Sequence, residues 1–331
     1  KRAAQRIDAD EIDILVDLSG HTGGNALPIL AYKPAPILVS GIGYFRTTGL
    51  PAVDYFLTDE HLAPAGEEAY FTEKLLRLPE SHWCYEPLAG TPPTAPAPFL
   101  RNGYVTFGTL GHFDKATDER LALWGKILDA VPNSRLYLKS AVMDDAARRA
   151  RVEGRLAQAG IDLSRVQLEG RTGDYLTAYY GIDIALDTST YTGGGTSCDA
   201  LYMGVPFVTL AGEHHHGRFG LSLLENVGLS DLAATSGAQY VGIAAALAGD
   251  AHRLAALHQT LRLSMRSSAL MDGARYMMRL ERRYRAIWRA HCSKMGERDA
   301  HAASEEALGE AFSAGDWEKA SRLAFWQAGL M

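Results

Sequence analysis

The sequence predicts an α/β protein of two Rossmann-like lobes, the first of them incomplete at its N-terminus. Three observations lead there. Short apolar runs rich in β-branched residues alternate with segments of helical period, the pattern of parallel strands joined by crossovers. A Pro- and Ala-rich stretch, PLAGTPPTAPAP at 87–98, divides the 331 residues into a shorter and a longer series of such units. A chain of that length can bury two cores of ordinary size without a disulfide or metal staple.

In the first series strands are predicted at 12–18, 37–40, 55–58 and 75–78, joined by loops that contain Gly and Pro. Four such units are too few for a complete doubly wound sheet. The stretch at 87–98 suits an extended linker and cannot continue a helix. The second series is fuller: a strand at 104–110, an amphipathic helix at 118–130 stopped by Pro132 and Asn133, a strand at 135–139, a helix at 144–159 ending at Gly160, and strands at 166–169, 182–187 and 205–210. Helices follow at 238–248, 251–265 and 273–291, the last basic on one side through Arg275, Arg279, Arg282 and Arg283. Its Met277, Met278, Leu280, Ile287 and Trp288 have the spacing of a buried helical face. The expected division is a first lobe at 1–95, a second lobe with its C-terminal helices at 96–293, and a helical tail at 294–331 whose turn at Gly315 and Asp316 gives it the look of one tetratricopeptide-like unit.

Composition excludes several function classes. Lys and Arg number 33 against 39 Asp and Glu, a net charge of −6, and no long run of either sign marks a nucleic-acid or membrane surface. Cys84, Cys198 and Cys292 are odd in number, widely spaced and without a C-x-x-C pair, which fits reduced thiols. The start carries no signal-peptide-like apolar stretch, and no later run reaches the roughly 18 apolar residues of a spanning helix. A soluble, cytoplasmic protein with neither nucleic-acid nor membrane partners is expected. The absence of an initiator Met and the immediate entry into an apolar run suggest a fragment, and the Ala- and Arg-rich, Lys-poor composition points to a bacterium.

The most informative segment is IDIALDTSTYTGGGTSCDALYMGVPFVTLAG at 182–212. A strand ending at Asp187 leads through Gly193, Gly194 and Gly195 to a helix that begins near Thr196 and Ser197. Successive glycines let the backbone approach a ligand, and a helix N-terminus adds partial positive charge; both favour a diphosphate. Thr196 can cap the helix and donate its hydroxyl to the same anion. Asp199, one turn in, would repel phosphate, so ribose or sugar hydroxyls are its expected partners. A glycine-rich turn that merely caps a helix also fits this segment taken alone. In FGTLGHFDKATDERLALW at 107–124, His112 and Lys115 fall in the loop after the lobe's first strand, the edge where open α/β sheets bind ligands. A lysine there can neutralise charge on a departing diphosphate without a metal; a solvated loop lysine is the plainer reading. His214, His215 and His216 are consecutive and so cannot share one face, and no partner shows metal-site spacing, so no metal is assigned.

These segments together resemble the catalytic region of the protein O-GlcNAc transferases, the SPINDLY-type protein O-fucosyltransferases and their bacterial relatives. The matching residues are DILVDLSGHTGGN (13–25), KPAPILVSGIGYFRTTGLPAVDYFLTD (33–59), TEKLLRLP (72–79), the loop of His112 and Lys115, VPNSRLYLK (131–139), LDTSTYTGGGTSCDALYMGVPFVTLAG (186–212) and RFGLSLLENVGL (218–229). The resemblance implies a GT-B architecture, with an acceptor-side first lobe, a donor-binding second lobe, and inverting, metal-independent transfer of a sugar to Ser or Thr hydroxyls of a polypeptide. It implies no cofactor, a nucleotide sugar as co-substrate with UDP-GlcNAc expected, and tetratricopeptide repeats upstream. Lys115 falls on the lysine that contacts the donor diphosphate, His112 on the neighbouring Gln or Asn position, and Gly194, Gly195 and Thr196 on the loop that receives the phosphates. Asp199 falls on the residue that holds the ribose, Tyr175 at a base-contacting position, Gly43 near the donor sugar, and Arg218 on a recurrent arginine.

The sequence also departs from that pattern. The animal transferases carry His-Thr-Thr where this chain has Gly194, Gly195 and Thr196; Thr172 replaces the lysine beside their uracil; Phe45 stands where a Pro usually follows the Gly-Tyr pair. An acceptor-side histidine is expected upstream of Lys1. A flagellin or small-saccharide glycosyltransferase of the same fold, and a non-catalytic nucleotide-sugar-binding scaffold, are the alternative readings.

Overall fold

The computed structural model describes residues 1–188, 191–294 and 319, so the predicted tail lies outside the described residues apart from Lys294 and Lys319. A helix α1 (Arg2–Ala9) leads into a sheet of four parallel strands in chain order, β1 (Ile14–Asp17), β2 (Ile37–Gly41), β3 (Tyr55–Asp59) and β4 (Lys74–Leu78). All five residues of β2 are buried, as expected of a parallel strand covered on both faces. The period of two divides them: Leu38 joins Leu27, Leu30 and Val53, under the short helix α2 (Leu27–Leu30), while Ile37 and Val39 join Leu57, Leu76 and Leu78 on the opposite face.

The second sheet has six parallel strands: β5 (Thr106–Leu110), β6 (Arg135–Lys139), β7 (Val166–Glu169), β8 (Ile184–Leu186), β9 (Phe207–Leu210) and β10 (Ala233–Ala234). Their order is β10-β9-β8-β5-β6-β7. Around it lie α3 (Phe99–Asn102), α4 (Asp118–Ala130), α5 (Ala146–Gln158), α6 (Gly195–Tyr202), α7 (Phe219–Asn226), α8 (Gly237–Gly249) and α9 (Ala251–Arg266). Side-chain caps fix several starts: Thr117 accepts the N–H of Arg120 at α4 and Asp145 that of Arg148 at α5, which is why α5 begins at Ala146 rather than at Asp144.

The last helix, α10 (Gly273–Lys294), corrects the expected division of the chain. It packs on the first sheet, its Leu280 and Ile287 buried in one core with Ile37 and Leu57, and Arg275 and Arg279 both pair with Glu80 at the end of the first lobe. Met277 and Met278 are 49% and 46% exposed and lie off the buried stripe. The chain therefore passes between the lobes twice, at 81–85 and at 270–273, and the two passages touch: the Tyr85 N–H donates to the Leu270 carbonyl at 2.7 Å. Between them the Pro-rich segment has no regular structure and is pinned to the second lobe, where Tyr180 donates to the Pro93 carbonyl and Arg262 to that of Pro92, each at 2.7 Å. Among the described residues, no helix is long and apolar enough to cross a membrane.

Candidate functional site

The chain leaves β5 toward β6 and β7 on one side and returns to β8, β9 and β10 on the other, so the loops after β5 and β8 diverge and leave a crevice between them. A cavity lies there. His112 and Lys115 line it from the β5 side, and Asp187, Gly193, Thr196 and Ser197 from the β8 side. A second cavity shares Gly111, His112 and Thr196 with the first and extends over the end of β6 to Ser140, Arg171, Thr172 and Tyr175. Lys115 and the glycine loop, 78 or more residues apart in sequence, thus face one space.

The loop is held from beneath by Asp187. Its buried carboxylate accepts the Gly193 N–H and the Thr209 hydroxyl, each at 2.8 Å. Burial pushes this carboxyl above its ordinary range, against the pull of those two donors and the charge of Arg120. The Gly193 N–H is therefore committed to Asp187, although Gly193 lines the cavity with Thr196 and Ser197; the predicted Gly194 and Gly195 line neither cavity and lie where the first N–H groups of α6 have no intrahelical acceptor. Gly195 has open space where a Cβ would stand. Gly194 does not: a Cβ there would stand 2.6 Å from Cζ2 and Cη2 of Trp83. The indole, a first-lobe contribution that sequence reasoning missed, occupies the space a larger side chain would need.

Asp199 is placed otherwise than expected. It is buried, lines neither cavity, and its two carboxylate oxygens accept the hydroxyls of Tyr85 at 2.7 Å and Tyr175 at 2.8 Å. Burial first, and the bond to Asp199 second, push the Tyr175 hydroxyl up to about 12, so it stays a protonated donor. Through this bond Asp199 holds Tyr175, which does line the second cavity.

The remaining predicted residues lie on the first-lobe side of the crevice or between the lobes. Gly43, in the loop after β2, is held against the Leu18 carbonyl oxygen, which would stand 1.5 Å from any Cβ; it lines neither cavity. The residues after it do reach across. Tyr44 stacks on Phe45 with ring centroids 4.5 Å apart, Phe45 stacks on Tyr191 at 4.4 Å, and the Lys115 ammonium lies 3.8 Å from the centroid of Tyr191. Arg218 also lies outside both cavities and ties the lobes together, its Nε donating to the His61 carbonyl at 2.7 Å.

A buried polar cluster joins the lobes behind the crevice. Asp59 accepts the His82 N–H at 3.0 Å and the Ser222 hydroxyl at 2.8 Å, with His82 Nδ1 at 3.3 Å. Burial alone would raise the Asp59 carboxyl, but the hydrogen bond and charge of His82 and nearby amides outweigh it and hold the group below its ordinary value. The three consecutive histidines diverge: His214 lies by Glu67, His215 is buried 3.0 Å from the Phe45 carbonyl, and Arg46 donates to His216 at 3.3 Å. Among the described residues, no three His, Cys, Asp or Glu side chains are grouped to hold a metal ion.

Comparison with known proteins places this geometry. The model of Glycosyl transferase family 41 matches residues 1–86 and 100–280. The chain is 42% identical over 295 residues to the probable UDP-N-acetylglucosamine–peptide N-acetylglucosaminyltransferase SPINDLY of Petunia hybrida, covering 88% of this chain and 32% of that protein. It is 31% identical over 301 residues to the probable transferase of the same description called SEC in Arabidopsis thaliana, covering 88% and 30%. A lysine-to-methionine mutant of the Thermobaculum terrenum O-GlcNAc transferase has a closely similar structure, with a TM-score of 0.84 and 37% identity over 89% of this chain and 56% of that one. Anabaena HepE, solved with UDP and glucose, shares the fold alone, with a TM-score of 0.54 at 11% identity over 86% and 80% of the two chains. The chain spans about a third of the length of the curated relatives it matches.

Proposed function

Because this chain belongs to glycosyl transferase family 41 and has the two-lobed GT-B fold, we propose that it is the catalytic region of an inverting protein O-glycosyltransferase, moving a sugar from a nucleotide diphosphate donor, UDP-GlcNAc, to Ser or Thr hydroxyls of a polypeptide. The observation that carries this reading is the single cavity at the sheet's switch point, lined by Lys115 from one loop and Thr196 from the other. The donor's diphosphate sits there, against the amino end of α6. When the acceptor oxygen attacks the anomeric carbon, the bond from that carbon to the diphosphate breaks, and negative charge collects on the leaving oxygen. Lys115, the Gly195 and Thr196 amides and the Thr196 hydroxyl are fixed where that charge appears, which lowers the barrier without a metal or other cofactor. The nucleoside extends into the second cavity, along Thr172 and the Tyr175 ring that Asp199 holds, with His112 at the junction. Gly43 and its loop stand on the sugar and acceptor side.

The nucleotide sugar and the polypeptide are the partners in this reading, tetratricopeptide repeats precede the catalytic region in the whole protein, and the setting is a bacterial cytoplasm. The test is release of nucleoside diphosphate by the full-length protein given UDP-GlcNAc and a polypeptide acceptor. Lys115→Met is expected to lower turnover by about 100- to 1000-fold, the usual cost of removing one transition-state charge stabiliser. Unchanged turnover in that variant, or no release from a folded protein with any nucleotide sugar, overturns the reading.

A further inference from the structure

One feature between the lobes is not used by that reaction scheme: the aromatic stack that ends on the lysine. The Lys115 ammonium lies over the face of Tyr191, 3.8 Å from its centroid. Phe45 stacks on the same ring, 4.4 Å away and within 14° of parallel. Phe45 is backed in turn by Tyr44 at 4.5 Å and 20°, and the edge of His21 closes the series against Tyr44 at 5.3 Å. Four first- and second-lobe loops therefore converge on the place where one ammonium group stands.

We propose that Tyr191, held flat by Phe45 of the opposite lobe, is a positioning residue for Lys115, so that the approach of the two lobes sets where the lysine's charge lies. The inference rests on the reading of Lys115 as the counter-charge of the departing diphosphate. A ring face is electron-rich and attracts a cation sitting over it. Unlike a carboxylate, it does not neutralise the charge. A ring stacked against a second ring is less free to tilt away from the cation. Lysine is a long, flexible side chain, and ordering it in advance removes entropy that would otherwise be lost at the transition state. The stack depends on an aromatic at position 45, the position where the resembled transferases usually have Pro, so this departure in the sequence acquires a physical role. The ring, rather than the tyrosine hydroxyl, is the working part, because the contact is with the ring's face.

The experiment is steady-state transfer by the full-length protein with UDP-GlcNAc, comparing Tyr191→Leu, Tyr191→Phe and Phe45→Ala, each alone and combined with Lys115→Met. Tyr191→Leu is expected to lower kcat about tenfold, within the range of a partly desolvated cation–π contact, while KM for the donor stays within about twofold. Tyr191→Phe restores kcat to within about twofold, and Phe45→Ala lowers it about threefold. In the Lys115→Met background, neither Tyr191→Leu nor Phe45→Ala lowers turnover further. Should Tyr191→Leu melt at a markedly lower temperature than the parent, the same non-additivity is required of Phe45→Ala. The inference is overturned if the folded Tyr191→Leu protein keeps full kcat, if Tyr191→Phe is as impaired as Tyr191→Leu, or if the losses persist undiminished without Lys115. If Lys115→Met itself keeps full turnover, the reading of the reaction falls and this inference with it; if Lys115→Met is impaired and Tyr191→Leu is not, the positioning role alone falls.

Discussion

The two lobes reach the crevice by different means. The second lobe supplies its groups from strand ends and the turns that follow them: His112 and Lys115 after β5, and Gly193, Thr196 and Ser197 after β8, with Asp187 fixing the loop from below. The first lobe supplies side chains that work only through contact with the other: Trp83 on Gly194, Phe45 on Tyr191, and Asp59 on Ser222. The cavity is a local property of one sheet, whereas its union with the first lobe is a property of packing spread along the whole chain. Changes that break the union should spare the second lobe's own fold, and changes within the second lobe should abolish chemistry without separating the lobes.

The first test of that contrast is His82→Ala, which removes one of the groups that hold the buried Asp59 carboxyl below its ordinary value. Removing a hydrogen-bond partner of a buried carboxylate costs about 1.5–3 kcal/mol, so denaturant unfolding should show the joined lobes weakened by that amount; a loss below about 1 kcal/mol would show that the cluster does not hold them. Next is Ile287→Ala on α10, a buried position of the first-lobe core. It should cost about 2–4 kcal/mol and leave UDP affinity, measured by calorimetry on folded protein, essentially unchanged. An equal fall in both would mean that the lobes do not behave as separate units. Gly194→Ala should cost about 1–3 kcal/mol through its clash with the indole, and adding Trp83→Leu should recover part of it; no recovery would locate the strain elsewhere.

The smallest effect concerns acid. Burial first, then the nearby His82, depresses His215 from 6.5 to about 3. Between those values the unfolded chain takes up a proton that the folded chain refuses, so this contribution is fully present above about pH 6.5 and is lost progressively as the pH falls toward 3. By about pH 5.5 the loss should be about 1.4 kcal/mol. His215→Phe should flatten the acid limb of the melting-temperature profile, and an unaltered limb would assign the acid sensitivity to other groups.

Much of this architecture was legible in the residues because parallel strands and capped helices leave local signatures. The apolar run at 37–40, the helical period of 118–130 and the stop at Pro132 and Asn133 each announce an element within a few residues. The crevice was legible too, since a ligand edge follows from strand order, and Lys115 and the glycine loop both stand at strand ends. What was not legible depends on distant partners. Strand β10 is two residues long, too short for a period to show. The stripe of α10 announced a buried face without saying which sheet would bury it. Asp199 reads as an available carboxylate until Tyr85, 114 residues away, and Tyr175 are found on its two oxygens. Trp83 sits outside any recognisable motif and becomes meaningful only beside a glycine of the other lobe.

The paired passages of the chain have a mechanical consequence. One strand between two bodies is a tether that permits swivel, shift and tilt alike. Two strands lying side by side and bonded through Tyr85 and Leu270 form a pivot, which resists swivel and shift and leaves a single swing about the line through them. Any relative motion of the lobes would then be a swing described by one angle, smallest near that line and largest at the far rim of the crevice.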